Sequence, residues 1–220
     1  MAKSWTRATC RAGAMVALVA TVISSAPAEA GTIVGSAHDF SSTGWTGGQI
    51  CVACHTPHNA STTVTNAPLW NHATTTTTFA LYTSPTLDST VGQPDGTSKL
   101  CLSCHDGTVA LDSFGGTTGS TFMTGSALLG TSLANDHPVS MLFDTALSTA
   151  DGALADPATQ TVTIGTGSQT RTGTIAAVML RANKVQCASC HDVHNTFTNG
   201  PRLLVKSNAA SALCLTCHVK

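Results

Sequence analysis

Aromatic residues make up only 5% of this 220-residue chain, with a single tyrosine, and charged residues only 10%. An ordinary aromatic-rich core is therefore not the expected source of stability. Ten Lys plus Arg stand against eleven Asp plus Glu, so no basic patch for nucleic acid is on offer. The only long apolar stretch, Ala12 to Ile23, is shorter than the roughly twenty residues a membrane span needs. It follows Lys3, Arg7 and Arg11 and runs into Ser24-Ser25-Ala26-Pro27 and a small-residue exit at Ala28-Glu29-Ala30. That pattern predicts a secretory signal over residues 1–30, cleaved to leave a mature chain from Gly31 with no membrane span. The exported product is expected outside the cell or at its surface, with the periplasm as the alternative.

What is plentiful is cysteine and histidine, nine of each. Cys10 precedes the apolar run and falls within the leader. The other eight form four segments: Cys51-Val52-Ala53-Cys54-His55, Cys101-Leu102-Ser103-Cys104-His105, Cys187-Ala188-Ser189-Cys190-His191 and Cys214-Leu215-Thr216-Cys217-His218. Two thiols at this spacing can form thioethers with the two vinyl groups of a porphyrin, and the histidine that follows can coordinate its iron. Paired zinc tetrathiolates or four redox disulfides would use the same cysteines. Neither needs a histidine after every second cysteine. The expectation is four haem c groups per chain, with His55, His105, His191 and His218 as proximal ligands.

The motifs fall into two similar halves, about 31–106 and 136–220. Each half has a His-x-x-Ser, at His38 and His137; a Cys-x-x-Cys-His followed by His-Asn, at His58 and His194; and a closing Leu-Cys-Leu-x-Cys-His. His38, His58, His137 and His194 are the expected distal ligands. His72 is a fifth candidate without a counterpart: laying Ala67-Pro68-Leu69-Trp70 over Gly200-Pro201-Arg202-Leu203 puts it near Val205 or Lys206. Met123, Met141 and Met179 are alternative ligands, less needed where histidines are in surplus. His58 and His194 each follow a proximal histidine by three residues, a reach of at most about 10 Å. Each should therefore serve a different haem, in the same chain or in a neighbour.

Gly, Thr, Ser and Ala dominate the spacers. The expected fold is mostly coil with a few short helices and a small β-hairpin, a single domain over 31–220 wrapped around four haems that supply the missing apolar mass. Helix is expected over Lys99 to His105 and Asn208 to Leu215. The hairpin is expected where Gln160 to Ile164 and Gly173 to Ile175 flank a Gly-Ser-Gln turn. The Thr74–Thr78 run reads as an exposed loop open to O-linked sugar.

His38-Asp39-Phe40-Ser41, CVACHTPHN at 51–59, APLWN at 67–71, LCLSCHDG at 100–107 and Asp136-His137-Pro138-Val139-Ser140 resemble the doubled-CxxCH tetrahaem cytochromes. Among these they are most similar to the OmcE-type filament-forming extracellular cytochromes. The resemblance covers about half of the mature chain and implies electron transfer to redox partner proteins or extracellular acceptors. It also implies a homopolymer in which a histidine crosses between subunits, His58 by motif, with His38 as the other donor. A soluble periplasmic shuttle is the rival, and a multihaem reductase a more distant one; no catalysis is expected, because a surplus of histidines leaves no iron with an open position. Mass spectrometry of the mature protein should find four haems that resist acid–acetone extraction; a lower mass, or extractable haem, contradicts the assignment.

Overall fold

The computed structural model describes Met1, residues 33–166, 169–197, Gly200 and residues 202–219. The signal segment, Met1 apart, lies outside the described residues. The architecture is mostly coil, as expected. Four short helices, α1 (Gly96–His105), α2 (Thr145–Asp151), α3 (Ile175–Val178) and α4 (Cys187–Cys190), accompany four short strands. β1 (Met141–Leu142) pairs antiparallel with β4 (Lys184–Val185), and β2 (Thr161–Ile164) with β3 (Arg171–Thr174). The second pair is the expected hairpin, with Thr161 opposite Thr174 and Ile164 opposite Arg171. Ile175 does not extend it, because the Thr174 hydroxyl accepts from the Ala177 N–H and starts α3.

Three expectations are corrected. The helix expected over Asn208 to Leu215 is two separate 3-10 turns, Ala209–Ser211 and Cys214–Thr216. Ala210 and Ser211, within the first of them, sit at positive φ, which ends helical pairing. The Thr74–Thr78 run is no exposed loop: Thr75 is 1% exposed, and its hydroxyl donates to the Asp106 carboxylate at 2.5 Å. The Thr77 hydroxyl donates to that of Thr108, so the run lies extended beside the end of α1. Nor does the apolar mass come from haem alone. Phe143, Val162, Ile164, Ile175, Met179, Phe197 and neighbours form a buried polypeptide core in the second half. Smaller clusters centre on Trp70 with Leu100 and on Phe79 with Leu102. Met141 and Met179, 7% and 3% exposed, are spent on packing.

The two halves meet where α1 packs on α4. Each helix start borrows its cap from the other. The Ser98 N–H donates to Gln186 Oε1 at 3.0 Å, and the Cys187 N–H donates to Ser98 Oγ at 3.0 Å. Gln186 Nε2 donates to Asp95 Oδ1 at 2.8 Å, and Ser140 Oγ donates to Gln186 Oε1. Lys184 adds an ion pair to Asp95, half-exposed and so worth little by itself. Ser98 and Gln186 are 0% and 3% exposed, so water cannot replace a lost partner. Gln186→Leu would strand the buried Ser98 N–H, and is expected to cost about 1–3 kcal/mol. Denaturant unfolding measures it; an unchanged midpoint would show that the junction does not depend on this side chain.

Candidate haem sites

The first attachment segment is a hydrogen-bonded turn, and the other three lie in α1, α4 and the Cys214–Thr216 3-10 turn. The His55, His191 and His218 N–H groups donate to the carbonyls of Cys51, Cys187 and Cys214 at 2.8–3.0 Å, while His105 ends α1. This winding puts both thiols on one side, with the histidine directly beneath.

The rings of His55, His105 and His191 are then held by distant carbonyls. Nδ1 lies 2.7 Å from the Pro68 oxygen in His55, 2.8 Å from that of Ala127 in His105, and 2.8 Å from that of Arg202 in His191. A ring that donates through Nδ1 presents an unprotonated Nε2, the tautomer a metal needs. His137 is set in the same way by the Pro138 carbonyl at 2.9 Å. Leu69 and Leu203, next to two of these carbonyls, both take positive φ, at 51° and 55°. The equivalent bridges, His55 with Trp70 and His191 with Leu204, set Trp70 over Leu204. That register is one residue away from the match of Pro68 with Pro201 used above.

The distal candidates separate. Two imidazoles sharing one metal at about 2.0–2.1 Å per bond stand with ring centroids about 6.3 Å apart. His38 faces His105 at 6.1 Å, His194 faces His55 at 6.1 Å, and His137 faces His218 at 6.3 Å. Three irons are thus offered a pair of imidazoles. Among the described residues no ring stands opposite His191, and His58 is exposed with no ring opposite it. Among the described residues no histidine ring faces His72. It is 3% exposed, with Nδ1 2.7 Å from the Ala73 carbonyl and Nε2 3.0 Å from that of Ala110. Both ring nitrogens are engaged within the fold.

The surroundings suit a large apolar group. His38 Nδ1 and Trp70 Nε1 are buried without partners, orphans that a bound group would account for. Burial chiefly, with the nearness of His105, His191 and His194, lowers the His38 pKa to about 4, keeping the ring neutral. Leu69, Leu128, Leu129, Val193, Leu215 and Val219 are exposed beside the motifs or their carbonyl cradles, apolar surface that a porphyrin would cover. Leu81, Val91, Leu133 and Val139 wall a cleft next to His137. The eight thiols are unpaired, and among the described residues no three Cys, His, Asp or Glu side chains converge as a zinc site requires. Burial pushes the Cys54 thiol up to about 11 and that of Cys104 up to about 12, away from the range of reactive thiolates, whereas a hydrogen bond with Cys101 brings that of Cys187 down to about 7.

Segments that follow one another in the chain also lie near one another. Cys54 is close enough to Cys104 for their charges to act on each other, as Cys190 is to Cys217. Cys101 and Cys187 share a hydrogen bond at the α1–α4 junction, which raises the first thiol and lowers the second.

Residues 181–220, which hold the third and fourth segments, match the family described as Doubled CXXCH motif. The match supports a multihaem c-type cytochrome. No curated protein matches the chain. The residues missed at the level of sequence are Pro68, Ala127 and Arg202, whose carbonyls accept from the proximal rings, and the junction residues Ser98 and Gln186. Only the Gln186-x-x-Ser189 spacing ahead of a helix carried a signal.

Replacing His38, His137 or His194 by Ala should turn one iron high-spin and open to CO in each variant. His72→Gln should leave the low-spin spectrum intact while lowering stability by about 1–3 kcal/mol. A high-spin iron in the His72 variant would reverse these assignments.

Proposed function

We propose that the chain is an exported electron-transfer protein with four covalent haems and that it polymerises outside the cell into a filament of OmcE type. Bound haem supplies reversible one-electron iron chemistry. The protein's part is to fix axial ligands, exclude water and set neighbouring sites close together. Two strong imidazoles per iron change little between oxidation states, which favours transfer over substrate binding.

The observation that carries the filament is the unequal treatment of the two equivalent histidines. His194, three residues beyond His191, reaches into the first half and faces His55 at 6.1 Å. His58, three residues beyond His55, is exposed, and His191 has no facing ring among the described residues. Let the first half of a neighbouring subunit supply its His58 to His191, and the relation between the two halves of one chain repeats between chains. A contact of this kind is head-to-tail and does not close on itself, so it generates a line. Coordination would fix the register while the apolar rims around the haems are buried.

A second reading rests on the same open position. If the chain stays monomeric, the iron at His191 has an accessible sixth site, as a multihaem reductase requires. A soluble shuttle would instead need an internal sixth ligand for it.

His58→Ala should give haem-loaded monomers with a single altered iron and no long polymers, seen by electron microscopy and by spin-state spectroscopy. Filaments with unchanged spectra would make His58 a bystander. Monomeric unmodified protein at high concentration would favour the shuttle or the reductase.

A further inference from the structure

The register of the structure supplies the counterpart that His72 lacks in sequence. With Trp70 over Leu204, the residue two places on is His72 in the first half and Lys206 in the second. Both point at the same place. His72 Nε2 lies 3.6 Å from the sulfur of Cys104, the second cysteine of its half's closing motif. Lys206 Nζ donates to Thr216 Oγ1 at 3.0 Å, beside Cys217, the second cysteine of the other closing motif. Its charge acts on the Cys217 sulfur.

The lysine is held rather than loosely solvated. Thr216 is 7% exposed, and its hydroxyl donates to the Ala212 carbonyl at 3.0 Å, which turns a lone pair toward the ammonium. Lys206 itself is half-buried. Among the described residues no carboxylate lies within salt-bridge distance of its Nζ, the one ion pair there being Lys184 with Asp95. The thioether edge of a haem is also the edge remote from its propionates, so the haem's own carboxylates do not neutralise this cation.

We propose that Lys206 is a potential-setting residue, whose ammonium raises the reduction potential of the haem held by Cys214, Cys217 and His218. The proposal rests on the haem assignment above. Reduction removes one positive charge from the iron, and a fixed cation nearby favours the state with less positive charge, the more so in a medium of lower dielectric than water. Histidine at the equivalent place in the first half, tied between two carbonyls, leaves that haem without a lysine. The duplicated halves would thus differ in potential, with electrons favoured at the C-terminal haem of each chain.

The test is a spectroelectrochemical titration of the intact holoprotein, with the His218 haem assigned through the selective change made by His137→Met. Lys206→Gln should lower the midpoint of that component alone. At the unmodified midpoint its ratio of reduced to oxidised haem should fall at least threefold, which is about 28 mV at 59 mV per decade. Lys206→Arg, which keeps the charge, should restore most of it. Should Lys206→Gln load haem poorly, Thr216→Val, which removes only the anchor, should move the same component down by less. Superimposable titration curves, or an equal shift in Lys206→Arg, would overturn the proposal. Fewer than four covalent haems in the unmodified protein would instead overturn the assignment on which it rests, and is seen by mass before any titration.

Discussion

A histidine three residues beyond a proximal histidine cannot pass around the porphyrin rim to the far face of the same iron. That short tether governs the arrangement of this chain. His194 is denied the iron at His191 and faces His55 in the other half, so completing the first haem site requires that the second half be docked. The α1–α4 junction, with its exchanged caps, holds that docking in place. His38 and His137 lie well before their motifs, carry no such restriction, and face irons within their own halves.

The polypeptide does more of the structural work than its composition implies. A core of aliphatic residues with Phe143 and Phe197 anchors the second half, while the first half has only small clusters. Haem loading should therefore matter more to the order of the first half, whose exposed Leu69, Leu128 and Leu129 flank its cradles. The paired imidazoles and the carbonyls behind them are already set at the spacing a metal demands. Coordination then costs little rearrangement, and the iron environment should differ little between its two oxidation states.

The attachment chemistry was legible because it is local: Cys-x-x-Cys-His states the thioethers and one ligand within five residues. The repeated order of the motifs was legible too, and the bridges of His55 with Trp70 and of His191 with Leu204 follow it. The pairing of rings was not, since His38 with His105 and His194 with His55 are contacts across 67 and 139 positions of chain. His72 was ambiguous in sequence because a ligand and a buried, carbonyl-bound histidine look alike there. Its counterpart was hidden by a one-residue slip: the match of Pro68 with Pro201 is a similarity of composition, whereas the positive φ of Leu69 and Leu203 fixes the true register. The core in 143–180 was not legible because its apolar residues, apart from Val178-Met179-Leu180, are scattered among Thr, Gly and Ala in short elements.

The central claim is that one chain completes three irons with its own imidazoles and leaves the fourth, at His191, to be completed from outside. Near-infrared magnetic circular dichroism of the oxidised, unmodified protein, compared between dispersed single chains and associated material, counts bis-imidazole irons directly. The account predicts three in the dispersed chain and four in the associated state. Four in the dispersed chain would contradict it.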